Sequence, residues 1–159
     1  MNAYLSPVPV PSADAVSPGI CREIYGMPAF ATLIASDVAA TVDWYVNGLG
    51  FVELFSMPGP GGVPALVHLR RWAFQDLLVR PAPETVVSGN SVTLSFAAVL
   101  AELDEFVATA RAHGCGDVLD PIDTRWNTRD IRTTDPDGNT LIFTAGHPLA
   151  EGNGVPNLL

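Results

Sequence analysis

ATLIASDVAA at residues 31–40 and VTLSFAAVLA at residues 92–101 are two copies of one pattern, and this repeat decides the fold. The likeness continues downstream, where Tyr45 corresponds to Phe106. Each copy is typical of a short strand, a tight turn and an amphipathic helix. An internal repeat of this kind predicts two equivalent modules, with a ligand groove between their sheets.

The first copy opens a module that we predict over residues 28–83. The apolar run from Phe30 to Ala35 predicts a strand, and Ser36-Asp37 supplies side chains that cap the start of a helix. Gly48 and Gly50 follow the apolar helical positions and predict the end of that helix. Three further strands are predicted over residues 51–57, 63–71 and 73–80.

The second copy opens an equivalent module over residues 91–146. After the first strand, a helix is predicted over 99–113, because apolar residues recur at helical spacing before Gly114. The module ends in a hairpin across Asp135-Pro136-Asp137-Gly138-Asn139, whose residues favour a tight turn. Strand, helix and three strands in each module predict an α+β fold, with two tandem βαβββ modules forming an open half-barrel.

Three segments lie outside the two modules. Residues 1–27 contain prolines at positions 7, 9, 11 and 18 without helical or strand periodicity, which predicts a flexible, proline-rich arm. Residues 84–90 are predicted to be a linker, and residues 147–159 a C-terminal tail.

The composition restricts the class of ligand. The formal net charge is −9, and all 8 basic residues are arginines. Acidity of this size disfavours nucleic acid, whose phosphates need basic patches, and favours cationic small molecules. No apolar run is long enough to cross a membrane, and Cys21 and Cys115 form neither a disulfide framework nor a metal-binding spacing. We therefore expect a cytoplasmic protein without a membrane partner.

Two motifs resemble one known superfamily. The Ser-Asp helix start followed by Trp44-Tyr45 and Leu49-Gly50-Phe51 resembles the first module of the vicinal-oxygen-chelate proteins, and Asp135 to Asn139 resembles their last hairpin. The resemblance extends over roughly residues 29 to 146. Glyoxalases, extradiol dioxygenases, fosfomycin-resistance enzymes and bleomycin-type antibiotic-binding proteins belong to this superfamily. The resemblance implies a homodimer, because a second subunit often completes the half-barrel.

The metal ligands of the superfamily are missing at the positions that the resemblance implies. Phe30 and Ser91 stand at the two first-strand positions, Ile142 stands in the last strand, and the fourth position falls near Leu77. Three of these side chains cannot bind a metal, and a serine hydroxyl is a poor ligand. We predict no metal, no cofactor and no catalytic residue, although His68, Gln75, Asp76 and Asp130 leave a displaced metal site open.

Aromatic and polar residues near the predicted groove are the candidates for ligand binding. Trp126 lies in a segment that resembles the Trp-Gly-x-Arg stretch of bleomycin-resistance-type proteins, with Asn127 in place of glycine. Trp72 is predicted to be exposed at a β-turn, and Ile131 is predicted to face the helix. The predicted ligand-binding residues are Phe30, Phe55, His68, Trp72, Trp126, Asp130 and Arg132.

The sequence predicts a protein that binds and sequesters a small aromatic, cationic molecule without catalysis, as antibiotic-resistance or self-protection proteins do. The alternative is a lyase, isomerase or dioxygenase of the same superfamily, with a displaced metal or none. An inactive scaffold within a biosynthetic complex is the third possibility. Bound metal, or turnover lost on mutating His68, Gln75 or Asp130, would distinguish the enzyme.

Overall fold

The computed structural model describes residues 8–9, 11–27, 29–83 and 93–148. The predicted linker and most of the predicted tail lie outside these residues. In the first module, strand β1 precedes helix α1, which continues as a π-helical turn over Trp44–Gly48, and three strands follow. These elements are β1 (Ala31–Ala35), α1 (Val38–Asp43), β2 (Val52–Met57), β3 (Leu66–Arg70) and β4 (Asp76–Pro81).

The second module has the same order with one additional short strand. Its elements are β5 (Thr93–Ala97), α2 (Leu103–His113), β6 (Asp117–Val118), β7 (Ile122–Asp123), β8 (Thr128–Thr134) and β9 (Thr140–Gly146). A 3-10 turn over Leu100–Glu102 leads into α2. Strand β7 was not predicted, and the other predicted elements of this module are present.

Two of the predicted helix boundaries, the start of α1 and the end of α2, have a local cause in the structure. The carboxylate of Asp37 accepts a hydrogen bond from the backbone N–H of Ala40 at 3.0 Å and so caps α1. Gly114 has a φ of 73°, the left-handed conformation that ends α2 and that glycine adopts without a steric cost.

Each module forms one sheet with the same topology. The first sheet has the order β1-β4-β3-β2 with β1 parallel to β4, and the second has the order β5-β9-β8-β6 with β5 parallel to β9. Strand β7 pairs with β8. The predicted α+β fold of two tandem modules is confirmed, and the two sheets of the described chain do not form a closed barrel. No helix in the described part of the chain is long and apolar enough to span a membrane.

One apolar core joins the two modules. Aromatic rings run through it from Tyr45 to Phe51, Phe96 and Phe143, with neighbouring ring centroids 5.4 to 5.7 Å apart. The Tyr45 hydroxyl donates to the Asp135 carboxylate at 3.1 Å, which ties the first helix to the last turn of the other module. The relative position of the two sheets therefore depends on this shared core.

The turn between β3 and β4 lies at the boundary between the modules. Trp72 is only 4% exposed, so the predicted exposure of this indole is wrong. Its neighbour Arg71 donates to the Ala97 carbonyl at 2.6 Å, and its guanidinium lies 4.6 Å from the Trp72 ring centroid. Burial lowers the pKa of Arg71 to about 10, although the negative charge of Glu102 partly opposes this effect.

The amino-terminal arm lies against the body of the protein. Residues 11–27 form no helix or strand, but several of them make hydrogen bonds to the modules. The backbone N–H of Ser17 donates to Glu102 at 2.8 Å, and its hydroxyl contacts the same carboxylate. Tyr25 bonds to Asp76 at the other end of this segment. These residues therefore contact both modules, and the flexibility expected for the arm stays a prediction.

Substitution of Tyr45 by phenylalanine is expected to lower the free energy of unfolding by about 1.5 kcal/mol near neutral pH, because a buried hydrogen bond to a carboxylate is lost. Burial, and then the negative charge of Asp135, raise the pKa of Tyr45 well above its ordinary value of 10.0. Above pH 10 the unfolded chain loses this phenolic proton while the native protein keeps it, so stability falls as pH rises.

Urea unfolding between pH 9 and pH 11 measures this effect. The fall in stability should be steeper in the wild type than in Tyr45→Phe. Burial raises the pKa of Tyr25 and lowers that of Arg71, but both residues are present in both proteins, so the difference isolates Tyr45. Equal slopes would contradict the prediction.

Candidate ligand-binding site

Alternation along β3 and β4 gives the first sheet two different faces. Val67, Leu69, Leu77 and Val79 are buried in the core. The residues between them face the opposite side, because successive strand residues point to opposite faces of a sheet. His68 and Arg70 are on this second face, and Asp76 is the cross-strand partner of Arg70.

The carboxylate of Asp76 joins three side chains on this face. Its Oδ1 atom lies 2.7 Å from both the Nε2 atom of His68 and the Nε atom of Arg70. Its Oδ2 atom accepts a hydrogen bond from the Tyr25 hydroxyl at 3.0 Å. The side chain of Asp76 has no exposed surface, so the guanidinium of Arg70 balances a fully buried negative charge.

Arg70 also holds the arm on the sheet. Its Nη1 atom donates to the carbonyls of Cys21 and Glu23, at 3.2 and 2.7 Å. The guanidinium lies 4.0 Å from the ring centroid of Tyr25, and the Tyr25 hydroxyl accepts from the backbone N–H of Phe74 at 2.6 Å. These contacts fix residues 21–25 above the face that carries His68.

A cavity of about 400 Å³ lies between the arm and the first sheet. This volume is within the range of small-molecule sites. The arm contributes one wall, and strands β2 and β3 contribute the other. The lining residues are Arg22, Glu23, Ile24, Tyr25, Met27, Leu54, Phe55, His68 and Arg70.

A register shift in β2 brings two predicted residues together. Glu53 pairs with Leu69, but the shift between Glu53 and Phe55 then makes Phe55 the partner of His68. Irregularities of this kind change where a strand side chain points. Phe55 is 56% exposed, so its ring offers the cavity an apolar surface next to the imidazole.

The remaining predicted residues lie elsewhere. Phe30 lines a separate cavity of about 340 Å³ between the first strands of the two modules. Trp72 lines a third cavity, also about 340 Å³, beside Arg71 and helix α2. Trp126, Asp130 and Arg132 belong to the second module. The structure therefore groups Phe55 with His68 and separates both from the other five.

The predicted residues of the second module do not line the cavity between the arm and the first sheet. Asp130 accepts hydrogen bonds from the hydroxyls of Thr128 and Thr144, at 2.9 and 2.7 Å. Trp126 is 66% exposed at the turn before β8, with the guanidinium of Arg125 4.4 Å from its ring centroid. Ile131 is buried in the core, so Asp130 and Arg132 lie on the face opposite the helix.

The backbone at Asn127 has a φ of 60°, the left-handed conformation. This is the position where the resembling Trp-Gly-x-Arg stretch has glycine. Asparagine is one of the few other residues that adopt this conformation readily. The turn that presents Trp126 is therefore compatible with the substitution.

Sequence reasoning missed Arg70 and Tyr25. The sequence did indicate a role for Arg70, because a charge in an otherwise apolar strand requires a partner. Asp76, the first residue of the next strand, is the nearest acidic residue that could supply it. Tyr25 carried none, since it lies in a proline-rich segment without periodicity. Its role depends on where the arm crosses the sheet.

The sequence model of the Glyoxalase/Bleomycin resistance protein/Dioxygenase superfamily matches residues 28–143. The chain belongs to this superfamily. The resemblance seen in the sequence is therefore confirmed. The match covers both modules, so the whole repeat is part of the superfamily fold.

Solved structures share this superfamily fold. TioX from Micromonospora sp. ML1 is 25% identical, with a TM-score of 0.57, and the match covers 76% of this chain and 98% of TioX. A glyoxalase/bleomycin resistance protein from Streptomyces sp. CB03234 is 24% identical, with a TM-score of 0.55, 72% coverage of this chain and 96% of its own. No curated protein matches the sequence.

A metal-containing relative shows the same fold. A variant of the fosfomycin resistance protein FosX from Listeria monocytogenes, complexed with Mn(II) and a dihydroxypropylphosphonic acid, is 19% identical. Its TM-score is 0.59, and the match covers 72% of this chain and 88% of that one. The superfamily's description names glyoxalases and dioxygenases beside bleomycin resistance proteins, so the fold serves both catalysis and resistance.

The residues of this chain do not fit the metal of the superfamily. Ile142 pairs with Ser95, and the equivalent pair in the first module is Arg80 with Ile34. The fourth metal position is therefore Arg80 rather than Leu77, whose side chain is in the core. Phe30, Arg80 and Ile142 cannot bind a cation, and Ser91 lies outside the described residues.

A displaced metal site also lacks support among the described residues. No group of three or more His, Cys, Asp or Glu side chains in this part of the chain is arranged to hold a metal. The nearest approach to such a group is His68 with Asp76. The guanidinium of Arg70 occupies the same carboxylate oxygen, and its positive charge would repel a metal ion.

Proposed function

We propose that the protein binds and sequesters a small, flat aromatic molecule without transforming it. This proposal rests on the residues at the superfamily's metal positions, which here are Phe30, Arg80 and Ile142. Without metal ligands the site lacks the Lewis acid on which the metal-dependent members rely. The cavity between the arm and the first sheet is the proposed site. Capture of this kind needs a pocket of suitable shape and no general base.

Phe55 is the main contact surface in this proposal. An aromatic ring packed on another ring gains on the order of 1 kcal/mol beyond the burial of apolar area. The net charge of −9 raises the local concentration of cations, so a cationic aromatic is favoured over an anionic one. Arg22 and Glu23 place one charge of each sign in the cavity wall, so the preference for a cation rests on the net charge of the whole chain.

The biological role that we propose is resistance or self-protection. FosX is a resistance protein by name, but its 19% identity shows the fold alone. A cytoplasmic homodimer is part of the same proposal. The exposed side chains of Leu119, Ile122 and Trp126 support it, because a second copy of the chain would cover apolar surface that is now in water.

The experiment is a thermal-shift and calorimetric titration with proflavine, 2-naphthol, Mn²⁺ and Zn²⁺. We expect the two aromatic probes to raise the melting temperature, since a ligand at a hundred times its Kd stabilises by about 2.7 kcal/mol. Phe55→Ala should weaken aromatic binding about fivefold, from the loss of ring packing. Met57→Ala, also exposed on β2 but outside the cavity, is the control and should bind as the wild type does.

Two results would contradict the proposal. Stabilisation by a divalent metal, reversed by a chelator and absent with both aromatic probes, would indicate a metal site. Equal binding by Phe55→Ala and wild type would exclude this cavity.

One observation favours a second candidate, a metal-independent enzyme of the lyase or isomerase type. His68 is hydrogen-bonded to a buried carboxylate, which is how general-base histidines are oriented. Turnover of a bound aromatic compound, lost in His68→Gln while binding persists, would establish this alternative over sequestration.

A further inference from the structure

The hydrogen bond to Asp76 decides which nitrogen of His68 faces a ligand. A carboxylate accepts hydrogen bonds, so the Nε2 atom of the imidazole donates its proton to Asp76 at 2.7 Å. The guanidinium of Arg70 donates to the same carboxylate oxygen at 2.7 Å and balances its charge. In the neutral ring the other nitrogen, Nδ1, is then an acceptor.

The Nδ1 atom of His68 is free for a ligand. No group among the described residues forms a hydrogen bond with it. Since this unpaired atom is not one of the buried polar atoms of the described chain, a ligand in the cavity can reach it. His68 lines the cavity, and its side chain is 17% exposed.

Two polar side chains close to His68, Tyr25 and Arg70, already have partners. The Tyr25 hydroxyl donates to Asp76 and accepts from Phe74. The Nε and Nη1 atoms of Arg70 donate to Asp76 and to two carbonyls of the arm. His68 therefore presents an unpaired acceptor next to the exposed ring of Phe55, and the carboxylate of Glu23 is a second acceptor in the cavity lining.

We propose that the site selects hydroxyaromatic molecules, whose ring packs on Phe55 and whose hydroxyl donates a hydrogen bond to the Nδ1 atom of His68. This inference rests on the proposed function and names the chemical class of its ligand. Selectivity follows because an aromatic molecule without a donor would cover Nδ1 and leave it unpaired, which is unfavourable for a desolvated acceptor.

The test compares 2-naphthol with 2-methoxynaphthalene, which differ by the donor, in calorimetric titrations near pH 7. The wild type is expected to bind 2-naphthol about tenfold more tightly. In His68→Gln this preference should fall below twofold. The glutamine amide can keep the hydrogen bond to Asp76, which preserves the fold. It offers no acceptor at the Nδ1 position. His68→Leu should show the same loss, and Met57→Ala should keep the tenfold preference.

The outcomes separate the two proposals. Equal binding of both probes by the wild type would overturn the hydroxyl selectivity and leave aromatic sequestration standing. A tenfold preference that persists in folded His68→Leu would also overturn it, because another group, such as the carboxylate of Glu23, would then accept the hydrogen bond. Failure of 2-naphthol and of proflavine to bind at about 1 mM would overturn both proposals.

Discussion

Replacing Asp76 with alanine is expected to lower the free energy of unfolding by about 3 to 5 kcal/mol, because it leaves a buried cation without its partner. The side chains of Arg70 and Asp76 are 1% and 0% exposed. The two carbonyls of the arm would still accept from the guanidinium, but they do not cancel its charge. His68 and Tyr25 would lose their partner at the same time.

Urea unfolding measures this loss, and Asp130→Ala is the matched control. Asp130 is a strand aspartate of the other module, and its hydrogen-bond partners among the described residues are threonine hydroxyls rather than a cation. Its substitution should cost about 1 kcal/mol. A loss below 1 kcal/mol in Asp76→Ala would show that water reaches Arg70.

The double variant Arg70→Met with Asp76→Leu separates charge from packing. Apolar side chains in place of a buried ion pair are often tolerated, whereas removal of one partner is not. We therefore expect the double variant to be more stable than Asp76→Ala alone. If it is less stable, the network stabilises the fold through its geometry rather than through charge balance.

The two-module fold could be predicted from the sequence because its signals are local. The Asp37 cap, the glycine after α2 and the apolar alternation on the strands each act within a few residues. Because the second module repeats the sequence pattern of the first, the prediction of the first sheet also predicted the second. Such signals do not depend on where distant segments of the chain meet.

The candidate site was predicted only in part because it depends on distant contacts. Phe55 and His68 were identified separately, but the register shift that makes them neighbours has no sequence signal. Trp72 was misplaced because its turn packs against the second module, which the turn sequence does not reveal. Tyr25 was missed because it reaches Asp76 across 51 positions of the chain.

The second large effect is expected at Gly116, where the two modules meet. We expect Gly116→Ala to lower the free energy of unfolding by about 3 kcal/mol. A Cβ atom at Gly116 would lie 2.7 Å from the Thr134 carbonyl oxygen and 2.7 Å from the Cη2 atom of Trp44. The carbonyl is backbone, and the indole is completely buried, so neither can move away cheaply.

The same clash should reach the ligand site through the shared core. Trp44 packs edge-on against Tyr45 at 5.5 Å, and Tyr45 contacts Phe51 just before β2, the strand that carries Phe55. Urea unfolding and 2-naphthol titration of Gly116→Ala test both effects, with weaker binding expected beside the lower stability. Gly19→Ala is the control, because a Cβ there meets nothing within 4 Å and should change stability by less than about 0.5 kcal/mol. Wild-type stability in Gly116→Ala would show that the two modules can separate at this point, and that the core does not fix the distance between them.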